Sequence, residues 1–320
     1  MIPNVPKSVA ENNIDFLKKY AAKSISPRAN SLNIPPDEKL VSSGDFFGLM
    51  RFDGLNPMLA WAMGSTTGHT TTALWMDGEL YVCESTTDSA YWPTDHIQKT
   101  PYRTWLKQVQ DADFQVVWAP LNAEARSKYN ETAAVEFFKS VEGLDYGYKT
   151  MLYGWIDTVK DNFPCIPPTY DLASGCLQWD LLETLLAVVD RKINQIGELI
   201  WNSGIAMRLG VSDKLRTADL YKIAGERGLA VTDVMTIPEK DTWLYNTTLY
   251  DEPAVGKAMV CCVFVCNMWK EAGVFGSMSS DINCGEQTNW DDVRIMCITV
   301  DFFFLYFAIL TSIISMFSMF

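Results

Sequence analysis

A cysteine at the start of a predicted helix and a histidine on a predicted strand are the residues best suited to covalent chemistry in this chain. Cys261 begins an apolar stretch with helical spacing that runs to Gly273, a residue type common just after helix ends. A thiol in the first turn of a helix lies beside unpaired backbone N–H groups and the positive end of the helix dipole, which favour the thiolate. The chain contains only two histidines, His69 and His96, and these are the candidate bases.

The sequence around His69 predicts a β-hairpin. Asp77-Gly78 separates two runs rich in β-branched and aromatic residues, the pattern of a two-residue hairpin turn. With that turn, Thr71 lies opposite Glu84, and His69 shares a face with Thr71 because side chains two apart on a strand point the same way. Glu84 is then the diagonal neighbour of His69, at a Cβ separation of about 7–8 Å or somewhat less. The spacing predicts a base with a carboxylate to orient it, and a one-residue slip in register would break the pair.

Each of these residues also has an ordinary structural interpretation. A histidine at a strand start is usually a satisfied polar residue, a glutamate near a strand end is usually solvated, and a buried cysteine often acts as a small hydrophobe. The combination of Cys261, His69 and Glu84, each on a suitable element, favours the catalytic interpretation. His96 follows Pro93 in a turn-rich stretch, so we expect it to be solvated and treat it as the alternative base.

Four short motifs carry a resemblance to a known group of enzymes. Their order resembles that of the circularly permuted papain-like cysteine hydrolases, which are relatives of NlpC-type cell-wall peptidases and of lecithin–retinol acyltransferases. The motifs are Gly44-Asp45-Phe46-Phe47, the hairpin from Gly68-His69 to Glu84, Gly143-Leu144-Asp145-Tyr146, and Cys261-Cys262-Val263-Phe264-Val265 followed by Ala272-Gly273.

The resemblance implies an α+β fold in which an antiparallel sheet packs on the helix that carries the nucleophile. It implies Cys261 as nucleophile, His69 as base and Glu84 as the group that orients the imidazole, with the backbone N–H of Cys261 stabilising an oxyanion. Tyr146 is either a hydroxyl at the edge of the substrate pocket or a packed core tyrosine.

The chain departs from the pattern of this group in two places. Gly147 stands where the group usually has aspartate, and Cys262 stands where it usually has serine. The adjacent thiols leave open which of Cys261 and Cys262 reacts. Cys266, one helical turn further on, is interpreted as core packing.

The activity implied by the resemblance is that of a thiol hydrolase that cleaves an amide or ester bond through a Cys-linked acyl-enzyme. Alternatives are an acyltransferase of the same fold and a non-catalytic, membrane-anchored binding protein. The substrate expected is a small molecule, a lipid or a peptide. No cofactor is expected, and the absence of Cys-x-x-Cys and His-Glu-x-x-His patterns argues against a metal site.

Composition narrows the classes of partner. The chain has 320 residues and a formal net charge of −13 at pH 7, which argues against binding to nucleic acid or to acidic lipid headgroups. The 8 cysteines are scattered through a long chain and predict no disulfide framework. Cys165 and Cys176 could pair in an oxidising compartment, so the cysteines do not decide between an oxidising and a reducing compartment.

The chain divides into three predicted parts. Residues 1–40 form a leading helix and a loop, and residues 41–300 form the catalytic domain, with a helical insertion at 172–236 that we expect to cap the site. Residues 302–320 carry no charge and are mostly Phe, Ile, Leu and Met. A single bilayer-spanning helix needs about 20 such residues, so this tail is a candidate single-pass membrane helix. A core helix and a segment foreign to the fold are the alternatives, and the localisation is open.

Overall fold

The computed structural model describes most of the chain from the first helix to residue 292. The described residues are 4–20, 23, 25, 35–62, 65–87, 91–92, 94–151, 196–235, 237–289 and 291–292. The tail 302–320, Cys165, Cys176 and the first part of the insertion, 172–195, lie outside them.

Five antiparallel strands form the main sheet, in the order β4-β3-β2-β1-β5. Helices precede, interrupt and follow this sheet, so the predicted α+β class is confirmed. A separate two-stranded hairpin pairs β6 with β7. The strands are β1 (Phe46–Met50), β2 (His69–Met76), β3 (Glu79–Thr86), β4 (His96–Pro101), β5 (Gln115–Ala119), β6 (Tyr245–Leu249) and β7 (Glu252–Gly256).

The β2–β3 hairpin has the predicted turn and register. Asp77 and Gly78 form the loop, with φ angles of 53° and 82°, as a two-residue turn with both central residues in the left-handed region requires. Met76 pairs with Glu79 at one end of the ladder. The pairing then runs without a slip toward the start of β2, which fixes the face on which each side chain lies.

Two helical layers cover the two faces of the sheet. Phe46 and Phe47 are neighbours on β1 and point to opposite faces, so each belongs to a different apolar core. The first core lies between the sheet and helices α5 and α9, and the second lies between the sheet and α3. The helices are α1 (Lys7–Tyr20), α2 (Leu55–Ala62), α3 (Tyr102–Asp111), α4 (Ala123–Lys128), α5 (Glu131–Val141), α6 (Ile196–Leu209), α7 (Thr217–Glu226), α8 (Val231–Met235) and α9 (Cys261–Glu271).

The described part of the predicted insertion contains three helices. Helices α6, α7 and α8 pack on one another around a core of their own that includes Trp201 and Leu220. The buried guanidinium of Arg208 donates to Glu239, whose other carboxylate oxygen accepts from the hydroxyl of Tyr245. This pair of bonds ties the helical unit to the β6–β7 hairpin.

Helix α9 is the central buried element of the first core. Every residue from Cys261 to Trp269 is buried, and the indole N–H of Trp269 donates to the carbonyl oxygen of Gly44 at 2.9 Å. Among the described residues, no helix is both long enough and apolar enough to cross a membrane.

The interpretation of Cys266 as core packing is confirmed, but it is incomplete. Cys266 is buried in the first core, but it is also joined by a disulfide to Cys284, which lies in a short 3₁₀ turn (Cys284–Glu286). The turn returns the chain to the side of α9, which the spacing of the cysteines did not reveal. One covalent link therefore fixes the downstream chain to the helix that begins at Cys261.

Candidate active site

Cys261 is the first residue of α9. The preceding residue, Val260, has an extended backbone and a side chain that cannot cap the helix. The Val260 side chain therefore satisfies none of the first-turn N–H groups, and Cys261 lies at the positive end of the helix dipole. Cys261 is only 5% exposed, so the residue is largely shielded from solvent.

His69 and Glu84 lie together at the start of β2 and the end of β3. The Nε2 atom of His69 is 2.8 Å from Oε2 of Glu84, which is the contact expected from the hairpin register. Glu84 is fully buried, and its Oε1 atom accepts a hydrogen bond from the indole N–H of Trp92 at 2.9 Å. The two contacts hold the carboxylate in one orientation and leave the second ring nitrogen of His69 for another partner.

The pKa shifts of both residues indicate that this partner is Cys261. Burial favours the neutral imidazole of His69, but hydrogen bonds to Cys261 and Glu84 outweigh burial and raise the pKa of His69 to about 10. The pKa of Cys261 is lowered well below the ordinary thiol value. The largest cause is a hydrogen bond from Cys262, and hydrogen bonding and charge from His69 add to it against the effect of burial. The arrangement favours a thiolate–imidazolium pair at neutral pH.

The two adjacent thiols differ in their surroundings. Burial and the neighbouring Cys261 raise the pKa of Cys262 well above the ordinary thiol value. The Sγ atom of Cys262 also lies 3.1 Å from the carbonyl oxygen of Gln287, so its single S–H has two acceptors, this oxygen and the Cys261 sulfur. These effects favour a neutral thiol at Cys262 and a thiolate at Cys261.

Tyr146 lies beside Cys261 and also packs against the first core. Burial raises the pKa of Tyr146 well above its usual value, and its hydroxyl hydrogen-bonds the Cys261 sulfur. Tyr146 therefore packs its ring against the first core and places its hydroxyl beside the Cys261 sulfur.

The unusual Gly147 has a local structural reason. Its N–H donates to the carbonyl oxygen of Met259 at 3.1 Å, and a Cβ atom at this position would lie 2.4 Å from backbone atoms of Met259. Any side chain would push the Tyr146 segment away from the residues that lead into α9. Glycine is required because two backbones approach closely.

His96 occupies a different place from the one expected. It is the first residue of β4, opposite Thr86, and it is half-buried rather than solvated in a turn. Its ring contacts that of Tyr250 at a centroid distance of 5.8 Å. His96 lies in a strand and not in a turn, because β4, which the sequence did not predict, pairs with β3.

The structure adds Asn289 to this group of residues. In its thiol form, Cys261 donates from Sγ to Oδ1 of Asn289 at 3.6 Å. Asn289 begins a helical turn whose start is marked by Thr288 and Asp291, since the Thr288 hydroxyl donates to the Asp291 carboxylate at 2.7 Å. This Thr-x-x-Asp pattern is a visible helix-start signal, but it does not indicate which element the turn will face.

Within the described part of the chain, no group of three or more His, Cys, Asp and Glu side chains is placed to hold a metal ion. The chemistry available to the site comes from the thiolate, the imidazolium and the oriented carboxylate. This set can form a covalent bond to an electrophilic carbon and can donate a proton to a leaving group. No protein-family model, curated protein or solved structure matches the chain.

Proposed function

We propose that this protein is a cysteine-dependent hydrolase of amide or ester bonds, with the architecture of the circularly permuted papain-like hydrolases. The observation that carries the proposal is the contact chain from the Cys261 sulfur through the His69 ring to the Glu84 carboxylate. The same three groups are what acyl transfer through a thioester needs.

The chemical steps follow from the protonation states of this pair. The Cys261 thiolate attacks the carbonyl carbon, an S–C bond forms, and the carbonyl π electrons move to the oxygen. As the tetrahedral intermediate collapses, the His69 imidazolium gives its proton to the leaving nitrogen or oxygen, and that bond to carbon breaks. Water then loses a proton to His69 and attacks the thioester, which releases the acid and restores the thiolate.

Glu84 acts on this sequence through His69. Its buried carboxylate accepts from the imidazolium, so it stabilises the charged ring and keeps one nitrogen directed at Cys261. The N–H of Trp92 fixes the carboxylate from the other side. The acyl acceptor distinguishes a hydrolase from an acyltransferase of the same architecture, and the products of the reaction identify the acceptor.

Intact-mass spectrometry after mixing with p-nitrophenyl acetate or an acyl anilide tests the proposal. We expect the wild-type protein to gain one acetyl mass, mapped to Cys261, and to release the leaving group with turnover. Cys261→Ala should abolish both the adduct and the turnover while circular dichroism shows an intact fold. Cys262→Ala is the matched comparison for the site of the adduct: the adduct should still map to Cys261, but it should form more slowly because the Cys262 hydrogen bond that lowers the pKa of Cys261 is lost. An adduct that persists in Cys261→Ala, or that maps to Cys262, contradicts the assignment.

A further inference from the structure

The disulfide in the first core indicates the kind of compartment in which this chain folds. Cys266 and Cys284 are joined, and both residues are completely buried. Disulfides form and persist in oxidising environments and are rare in proteins of the cytosol and the nucleus. The cross-link therefore points to folding in an oxidising compartment, a choice that the sequence left open.

The free cysteines agree with such a compartment. Within the part of the chain that the structure describes, these are Cys83, Cys261 and Cys262, and all three are buried. Exchange between a thiol and a disulfide needs access to the attacking thiol, so burial protects these residues from wrong pairing. The described cysteines thus combine one disulfide with thiols that are shielded from solvent.

The oxidising compartment of a secretory pathway also attaches N-linked glycans. The acceptor pattern is asparagine, any residue except proline, and then serine or threonine. The chain contains this pattern twice, at Asn130-Glu131-Thr132 and at Asn246-Thr247-Thr248. A glycan is bulky, so its asparagine must lie at the surface of the folded protein. Both asparagines are exposed.

The Asn130 side chain is able to carry a glycan and keep its structural role. Asn130 caps the start of α5, where its Oδ1 atom accepts from the backbone N–H of Ala133 at 3.1 Å. The cap uses the amide oxygen, whereas a glycan is attached to the amide nitrogen. Modification of Asn130 therefore leaves the capping bond in place.

The Asn246 side chain uses its nitrogen instead. The Nδ2 atom of Asn246 donates to both carboxylate oxygens of Asp213, at 3.0 and 3.1 Å. These bonds connect β6 to the stretch between α6 and α7. A glycan would replace one of the two N–H groups and would occupy space beside Asp213. The structure therefore favours Asn130 over Asn246 as the acceptor.

Asn130 also lies away from the reacting sulfur. Its backbone N–H donates to the carbonyl oxygen of Ala272 at 2.8 Å, just after the last residue of α9. Cys261 begins the same helix, so the 11 residues of α9 separate the two ends by about 16 Å. A glycan on Asn130 is thus attached near the end of α9 that lies opposite Cys261.

We propose that Asn130 carries an N-linked glycan, attached in an oxidising compartment of the secretory pathway. The glycan donor is an oligosaccharide linked to a lipid diphosphate. The amide nitrogen of Asn130 forms a bond to C1 of the first sugar, and the bond from C1 to the phosphate oxygen breaks. The lipid diphosphate leaves with the electron pair of that bond, and the amide proton passes to a base of the transferring enzyme.

Peptide mass spectrometry of the protein from the cells that produce it naturally tests the proposal. Peptide N-glycosidase F in H₂¹⁸O converts a glycosylated asparagine to an aspartate that carries ¹⁸O. We expect this isotope mark at Asn130 and an unmarked Asn246. A non-reducing digest of the same sample shows whether Cys266 and Cys284 are linked, which we also expect.

Three variants expressed in the same cells separate loss of the glycan from loss of the helix cap. Thr132→Ala destroys the acceptor pattern and keeps the Asn130 cap, because Thr132 is an exposed residue beyond the capping bond. This variant should lose the glycan and migrate faster on a denaturing gel. Thr132→Ser keeps the pattern and is the matched control, so it should migrate as the wild type does. Thr248→Ala destroys the second pattern and should leave the mobility unchanged.

The state of Asn130 decides between the outcomes. An isotope mark at Asn130 that Thr132→Ala removes and Thr132→Ser retains supports the proposal. An unmarked Asn130 overturns it, both when Cys266 and Cys284 are linked and when they are reduced. None of these measurements involves the reactivity of Cys261, so the hydrolase proposal stands or fails separately.

Discussion

Replacing Glu84 by glutamine removes one charge from the site and changes its shape very little. Glu84 is fully buried and accepts two hydrogen bonds, from His69 at 2.8 Å and from Trp92 at 2.9 Å. Glutamine offers one oxygen and one NH₂ group at the same positions. One of the two N–H donors, that of His69 or that of Trp92, must therefore face another donor.

The size of the effect follows from the bond that is lost. A hydrogen bond to a charged group contributes about 1.5–3 kcal/mol, which corresponds to a loss of roughly 10- to 150-fold in kcat/KM if it acts fully in the transition state. The pKa of His69 should also fall from its value of about 10, because the Glu84 hydrogen bond and charge are among the causes that raise it. The alkaline limb of the rate profile then moves to lower pH, since the ring loses its proton earlier.

The assay is the pH dependence of p-nitrophenyl acetate turnover in wild type, Glu84→Gln and Trp92→Phe. Trp92→Phe is the matched control, because it removes a donor to the same carboxylate and leaves the contact between Glu84 and His69. We expect a much smaller loss for Trp92→Phe. A Glu84→Gln protein with the wild-type rate and the wild-type alkaline limb would refute the role assigned to Glu84.

Two further predictions concern the cysteines around the site. Cys262→Ala should raise the pKa of Cys261 and slow its alkylation at mildly acidic pH, because the largest cause that lowers this pKa is the Cys262 hydrogen bond. Cys262→Ser keeps a donor and should behave more like wild type. Identical pH profiles of alkylation for wild type and both variants would contradict this prediction. Cys284→Ser should lower the free energy of unfolding by about 3 kcal/mol in non-reducing denaturant titrations, since it opens a loop closed across a sequence separation of 18 residues. Wild-type protein with added reductant is the control, and no loss of stability in either sample would argue against the disulfide.

The hairpin was predictable because its register depends on local chemistry. Asp77 and Gly78 both adopt positive φ angles, and few residue pairs do so at low cost. Once the two-residue loop is set, the pairing places His69 and Glu84 on one face without any tertiary information. The position of Cys261 at a helix start was equally local, since an apolar stripe and a closing glycine mark α9.

The remaining contacts depend on chain segments that return from far along the sequence. Scattered cysteines do not specify their partners. The pairing of Cys266 with Cys284 could therefore not be predicted without knowing where the 3₁₀ turn lies. Trp92 reaches Glu84 only because the chain folds back between β3 and β4. Asn289 carries a helix-start signal beside it, but the direction in which that turn faces is set by tertiary packing.

The protonation state of Cys261 tests the central claim most directly. The claim is that the thiolate and the His69 imidazolium coexist from the lowered pKa of Cys261 up to about 10, where the ring loses its proton. The measurement is the ultraviolet absorbance of the thiolate across a pH titration, taken as wild type minus Cys261→Ser, and repeated in a His69→Ala background. We predict a thiolate signal that persists well below the ordinary thiol pKa and that shifts to higher pH without His69. A Cys261 that titrates at or above the ordinary thiol value, with no response to His69→Ala, would contradict the account.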